Sequence, residues 1–498
     1  MTLIDKLAPL RSHAGKRRTV GLDDATTLEF AARHPELEAA IDAAVDEYAR
    51  AKAEFPELLD LDEDAQVQAV QAGYINFYPE DAVNPYVALA ARGPWLVTLK
   101  GAVQYDTGGY GMLGLGHTPA AVLEAVARPQ AMANIMTPNL SQLRFDRALR
   151  KEVGHTRGGC PYVKFLCLNS GSESVSLAAR IADVNTKLMT DPGAKYAGRT
   201  IKRVVVKGSF HGRTERPALY SDSSRKNYMQ NLASFRGEDS VIAVEPYDID
   251  ALKKVFADAD RNGWFIEAMF LEPVMGEGDP GRSVPASFYA AARELTKSHG
   301  SLFLVDSIQA GLRAQGVLSI VDYPGFEGQE APDMETYSKA LNAAQYPLSV
   351  LAVTERAGAM YRKGTYGNTM TTNPRALDVA CAVLAQLTPQ LRSNIRERGK
   401  EALARLEALK AETGGLITKV QGTGLLFSCE LAPQFKGYGV GSTEEWLRER
   451  GLGVIHGGEN SLRFTPHFAV TADELDLVVR LVGRALREGP RQQQAAAA

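Results

Sequence analysis

Between Pro161 and Val353, short runs of β-branched and aromatic residues alternate with helical stretches, and this alternation constrains the fold more than any other feature of the chain. The runs are YVKFLCL, RVVVKG, SVIAVE, EAMFLEPV, SLFLVDS and LSVLAV, each too short for a helix and too apolar for a surface strand. Strands covered on both faces by crossover helices, such as SFYAAARELTKSHG, carry that signature. The expectation is an α/β domain with a mainly parallel sheet over residues 161–375. A chain of 498 residues exceeds what one core supports, so further domains are expected.

The flanks supply them. Residues 1–93 read as an N-terminal helical extension, because LEAAIDAAVDEYARAKAEF carries Ala, Glu and Leu at helical spacing. In residues 94–160 the run WLVTLKGAVQY alternates as strands do, and this stretch reads as the N-terminal part of a small domain. Residues 376–490 read as a helical link followed by a strand-rich end with GLLFSCEL, GLGVIH and SLRFTP. The small domain is therefore expected to be α+β and drawn from both chain ends, with 491–498 a flexible tail.

Lys plus Arg is 56 against 59 for Asp plus Glu, a net charge of −3, which leaves no global field to draw in nucleic acid or anionic lipid. No apolar run reaches the roughly 18 residues of a membrane span. The basic N-terminus lacks the apolar segment of a secretory signal. Cys160, Cys167, Cys381 and Cys429 show no CxxC or Cys/His ligand spacing, so no metal is expected and a reducing, cytoplasmic setting is.

In open α/β sheets ligands gather beyond the carboxyl ends of the strands. The run SLFLVD ends in Asp306, and DMETYSKAL places Lys339 after another short segment. An Asp at a strand end and a Lys in a Ser/Ala/Leu setting meet the needs of pyridoxal phosphate: the carboxylate keeps the ring nitrogen protonated and the lysine forms the imine. Each alone equally fits a cap or a solvated side chain. After YVKFLCL, the turn Asn169-Ser170-Gly171-Ser172-Glu173-Ser174 opens a helical stretch, where free N–H groups and the dipole favour an anion. A plain serine cap has the same look. RVVVKG leads to Ser209-Phe210-His211-Gly212-Arg213-Thr214, in which an aromatic side chain suits a flat ring and an arginine suits a carboxylate.

NSGSES, SFHGRT, FLEPVMGEGD, LVDSIQAG, YSKAL and YGNTMTTNP occur in an order and at separations that resemble the class III aminotransferases, the group that includes ornithine, acetylornithine and 4-aminobutyrate aminotransferases. The resemblance implies the fold type I of pyridoxal-phosphate-dependent transferases. It implies Lys339 as the imine lysine and Asp306 as the partner of the pyridine nitrogen. Ile308 and Phe210 would pack on opposite ring faces, His211 would belong to the cofactor-binding residues, and Gln309 would bond the phenolic oxygen. Gly171 and Ser172 would hold the phosphate, and Thr369 would reach the phosphate of a neighbouring subunit, making the active unit a homodimer. Arg213 is similar to the residue that holds a donor carboxylate, and Arg463 to the one that binds the α-carboxylate of glutamate or 2-oxoglutarate. Glu277 resembles the carboxylate that pairs with that arginine, and Tyr110 a pocket tyrosine. Ser307 and Met275 depart from the family pattern, which usually has Glu and Gln there.

The activity so implied is a two-stage transfer of an amino group, from a terminal amine of an amino acid or related amine, to or from 2-oxoglutarate. Another reaction on the same anchor (aminomutase, racemase or decarboxylase) and a non-catalytic binding protein keeping the fold are the alternatives. The run Gly109-Tyr110-Gly111-Met112-Leu113-Gly114 spells a dinucleotide fingerprint, but it leads into LGHTP and not directly into a helix, so it reads as a turn.

Overall fold

The computed structural model describes residues 2–131 and 135–492. It contains two compact units, one of residues 1–120, 397–421 and 427–498, the other of residues 121–396 and 422–426.

The first, smaller unit is built from both chain ends. Its helix Pro35–Glu54 buries Leu37, Ala40, Ile41, Ala44 and Tyr48, an apolar stripe at the helical period. That stripe packs on β1 (Ala88–Arg92) and β2 (Trp95–Thr98), which form an antiparallel sheet with β3 (Val103–Asp106).

The second, larger unit holds a seven-stranded sheet of β4 (Lys164–Leu168), β5 (Thr200–Val206), β6 (Val241–Val244), β7 (Trp264–Leu271), β8 (Leu302–Asp306), β9 (Met334–Tyr337) and β10 (Ser349–Val353). Their spatial order is β4-β10-β9-β8-β7-β5-β6. The β9-β8-β7-β5-β6 stretch is parallel, and β10 runs antiparallel to both its neighbours. All six apolar runs became strands of this sheet, and β9 is a seventh. Phe265 to Phe270 and Leu302 to Val305 are inaccessible to solvent, and the helix Gly171–Thr190 lays Val175, Ala178, Ala179 and Ala182 over the sheet.

The chain then returns to the small unit. There β11 (Ile417–Thr423), β12 (Leu426–Leu431), β14 (Ile455–Gly457) and β15 (Ser461–Phe464) make a second sheet, while β13 (Leu452–Gly453) joins β3 in parallel, Leu452 opposite Tyr105. The amphipathic helix Ala472–Glu488 closes the chain.

The expected boundaries shift in three places. Residues 1–93 are part of the small unit's own packing and form no separate domain. Residues 121–160, expected with the small domain, belong to the large unit, because the helix Leu140–Glu152 packs on Pro374–Ala385. The far boundary falls at 396 and not at 375. Of the expected tail, 493–498 lie outside the described residues, and Gln492 donates its amide to the Gln434 carbonyl at 2.8 Å.

Candidate active site

Parallel strands point their carboxyl ends the same way, so the residues following β5, β7, β8 and β9 gather on one edge of the sheet. Asp306 is the last residue of β8 and stands opposite Thr336 in β9. Its carboxylate, 4% exposed, accepts from His211 Nδ1 (2.9 Å), the Ile308 amide (3.1 Å) and Thr336 Oγ1 (3.1 Å). Three donors suit the acceptor-only chemistry of a carboxylate, and the His211 contact requires the imidazole proton on Nδ1. His211 Nε2 is buried with no hydrogen-bond partner among the described residues.

Lys339 begins the short turn Lys339–Asn342 just beyond β9 and is half-buried. Its φ is +50°, and Ala343 and Ala344 follow at +50° and +59°. Non-glycine residues in the left-handed region are costly, and their clustering marks a turn that its surroundings hold in place. Ser338 Oγ and Asn342 Nδ2, both donating to the Leu348 carbonyl, supply part of that hold.

The turn expected to hold the phosphate is the head of the helix Gly171–Thr190. Ser170 is its N-cap, and a reciprocal box links Ser170 Oγ to the Glu173 amide (3.3 Å) and Glu173 Oε2 to the Ser170 amide (3.0 Å). The amides of Gly171 and Ser172 sit at the positive end of this helix. A Cβ on Gly171 would come within 2.6 Å of Ile308 Cδ1, so glycine there keeps the turn and the Ile308 side chain in close approach. Ser172 Oγ accepts from the Arg213 amide at 3.4 Å. Asn368, the neighbour of exposed Thr369, bonds this same helix head: its Nδ2 donates to Glu173 Oε1 (2.8 Å) and its Oδ1 accepts from Asn169 (3.1 Å).

Phe210, half-buried, is fixed by its amide, which donates to Glu272 Oε1 at 2.9 Å, and the Arg213 guanidinium lies over its ring, 5.0 Å from the centroid. Arg213 also meets Ser224 Oγ (3.2 Å) and Glu277 Oε1 (3.6 Å). The pairing of Glu277 within the large unit is thus with Arg213, whereas the resemblance implies Arg463. Gln309 is buried against Gly276, where any Cβ would lie 2.3 Å from the carboxamide. Met275 is buried, and Ser307, which departs from the family pattern, donates to Glu335 Oε1 at 2.6 Å.

Two contributors, Glu272 and Thr336, escaped the sequence reading. Glu272, in the quoted FLEPV motif, also accepts from the Gly276 amide (2.9 Å), and burial raises its carboxyl to about 7. Thr336 holds Asp306. The Ser170 to Glu173 capping box was legible as Ser-x-x-Glu before an apolar run.

Arg463 and Tyr110 belong to the small unit. Arg463 is 2% exposed in β15, opposite Ser428 and Ile455, and its guanidinium lies 5.3 Å from the Tyr110 ring centroid. Tyr110 has a φ of +52° and stacks on Tyr78 at 6.0 Å; burial pushes its phenol upward, with Tyr78 adding to the shift. Both tyrosines line a cavity of about 600 Å³ in this unit, with Tyr86, His117 and Arg448. The glycine run 109–114 is a turn after β3, and no helix starts until Ala120.

The large-unit residues fit pyridoxal phosphate: an enclosed carboxylate for a ring N–H, a glycine-lined helix head for a phosphate, apolar side chains for the ring and a constrained lysine. The sequence matches the family description "Aminotransferase class-III" over residues 77–486. It is 31% identical to the acetylornithine aminotransferase of Xanthomonas campestris, over 62% of this chain and 71% of that protein. It is 28% identical to the ornithine aminotransferase of Exiguobacterium, over 81% and 92%. The fold matches the crystal structure of ornithine aminotransferase from Toxoplasma gondii with a TM-score of 0.72 at 22% identity, over 88% of this chain and 98% of that one. The chain belongs to the class III aminotransferases and is a pyridoxal-phosphate-dependent aminotransferase.

Proposed function

We propose that the enzyme exchanges an amino group between the terminal amine of an amino acid, or a related amine, and 2-oxoglutarate. The observation that carries the residue assignment is the pairing of β8 with β9: Asp306 stands opposite Thr336, and Lys339 follows shortly after in a left-handed turn. Bound pyridoxal phosphate supplies an electron sink for the amine-bearing carbon. Asp306 would hold the proton of the ring nitrogen, while Phe210 and Ile308 would cover the ring faces. Gln309 would donate to the phenolic oxygen, and Gly171 and Ser172 would bind the phosphate. With the cofactor bound, Lys339 Nζ would serve as the general base that takes the proton from the donor carbon and as the general acid that returns it.

Arg213 takes a carboxylate of the donor, and Glu277 neutralises Arg213 when no carboxylate is there. Arg463, beside Tyr110, takes the α-carboxylate of the oxo-acid. The choice of a terminal amine rests on the relatives, which include ornithine and acetylornithine aminotransferases and the succinylornithine transaminase of Citrobacter koseri. A homodimer, with exposed Thr369 serving the partner's phosphate, completes the reading. Cytoplasmic location agrees with four free cysteines, and no described helix is long and apolar enough to cross a membrane. The test is a panel of diamino and ω-amino donors with 2-oxoglutarate, read as glutamate formation, in wild type and Lys339→Ala. Turnover with a terminal amine, lost in Lys339→Ala, is the expected result; no glutamate from any donor would refute the reaction.

A further inference from the structure

Glu335 is a buried carboxylate held by hydroxyl and amide donors alone. It is fully buried in β9, and five groups donate to it: Ser307 Oγ (2.6 Å) and the Ile320 amide (2.9 Å) to Oε1, Tyr162 Oη (2.7 Å), Tyr337 Oη (2.9 Å) and Ser319 Oγ to Oε2. No guanidinium or ammonium pairs with it among the described residues. Burial pushes its pKa up, and the hydroxyl and amide donors act against that shift. A carboxylate buried without a counter-ion is costly, and an apolar side chain of similar size would serve stability as well.

The donors come from the segments that frame the site. Neighbouring residues of a strand project to opposite faces, so Glu335 and Thr336 grip the end of β8 from two sides. On one side Thr336 Oγ1 bonds Asp306; on the other Glu335 bonds Ser307, the next residue; between them the Ser307 amide donates to the Thr336 carbonyl at 3.1 Å. The same carboxylate accepts from Tyr337, the last residue of β9 before Ser338 and Lys339. One buried anion thereby ties the backbone carrying Asp306 to the backbone carrying Lys339.

We propose that Glu335 is a positioning residue that fixes the placement of Asp306 relative to Lys339, and through them the protonation of the bound cofactor. This rests on the reading that those two residues hold pyridoxal phosphate. Glu335 itself touches neither substrate nor cofactor. An amide at this position keeps the shape but presents an NH2 to groups that are already donors, so the grip on Ser307 and Tyr337 loosens.

The experiment compares wild-type holoenzyme with Glu335→Gln, Ser307→Ala and Glu267→Gln. Glu267 is a control, a buried carboxylate of the same unit that is paired with Arg203 and Arg216. Three quantities are read: the melting temperature, the dissociation constant for pyridoxal phosphate, and the pH midpoint of the absorbance of the lysine-bound cofactor. Glu335→Gln is expected to weaken cofactor binding by about tenfold or more and to move the midpoint, with Ser307→Ala moving both the same way by less. Glu267→Gln is expected to lower the melting temperature alone. If Glu335→Gln behaves like Glu267→Gln, with midpoint and affinity unchanged, the proposal is overturned. Should Glu335→Gln not fold, Ser307→Ala, which removes a single donor, decides by the same two readouts. A wild type with no lysine-bound absorbance would instead strike at the assignment of Lys339, on which this proposal stands.

Discussion

His211 donates from Nδ1 to Asp306 Oδ2 at 2.9 Å, and neither side chain has appreciable contact with solvent. Because the other Asp306 donors reach Oδ1, His211 is the partner that sets the direction of Oδ2. Replacing His211 with Ala leaves a buried acceptor short of a donor, at a cost of about 1–3 kcal/mol, or roughly 5- to 150-fold in cofactor affinity. Equilibrium titration of the apoenzyme with pyridoxal phosphate measures this, and an affinity equal to wild type would show that Asp306 is oriented without the histidine.

Gly212 has a φ of +111°, and a Cβ there would lie 2.5 Å from Ser172 Oγ. Gly212→Ala is expected to destabilise the protein by about 1–3 kcal/mol, since it adds backbone strain to a collision. It should also push Ser172 away from the phosphate turn. Urea unfolding reads the first effect and cofactor retention on gel filtration the second.

The Arg213 to Glu277 pair, at 3.6 Å and partly exposed, is worth little as a stabilising contact. In the proposed function the pair acts in substrate choice. Arg213→Ala is expected to raise the KM of a carboxylate-bearing amino donor by roughly tenfold or more, while an amine without a carboxylate is little affected. Half-reactions followed by cofactor absorbance separate the two donor classes. Equal effects on both would remove Arg213 from carboxylate recognition.

Glu272 supplies a pH signature. Burial raises its folded pKa to about 7 from the ordinary glutamate value of 4.5, so in that window the folded protein binds a proton that the unfolded chain has lost. Its contribution to stability is therefore complete below the lower value and disappears as pH rises through about 7. In the apoenzyme, Glu272→Gln is expected to flatten the fall in melting temperature between about pH 5 and pH 8. Parallel profiles for the two proteins would show that Glu272 does not titrate in this range.

The alternation of apolar runs and helices made the sheet legible because strands buried on both faces leave an uninterrupted apolar signal. The strand METY lacked it: Glu335 and Thr336 are polar yet fully buried, and a pattern that assigns polar residues to solvent passes over them. Asp306, at the end of β8, and Phe210 and Gly171, beyond β5 and β4, can be singled out by their position alone. Glu335 cannot, because its donors come from Tyr162, Ser307, Ser319, Ile320 and Tyr337, separate stretches that only the fold brings together. The helix Leu140–Glu152 likewise carries no local sign that its partner is Pro374–Ala385.

Borohydride reduction of the holoenzyme followed by peptide mass mapping tests most directly whether Lys339 carries the cofactor. Reduction makes the linkage permanent, so a phosphopyridoxyl group is expected on the peptide containing Tyr337, Ser338 and Lys339. A label on any other lysine, or none in a protein saturated with pyridoxal phosphate, would contradict that role of Lys339.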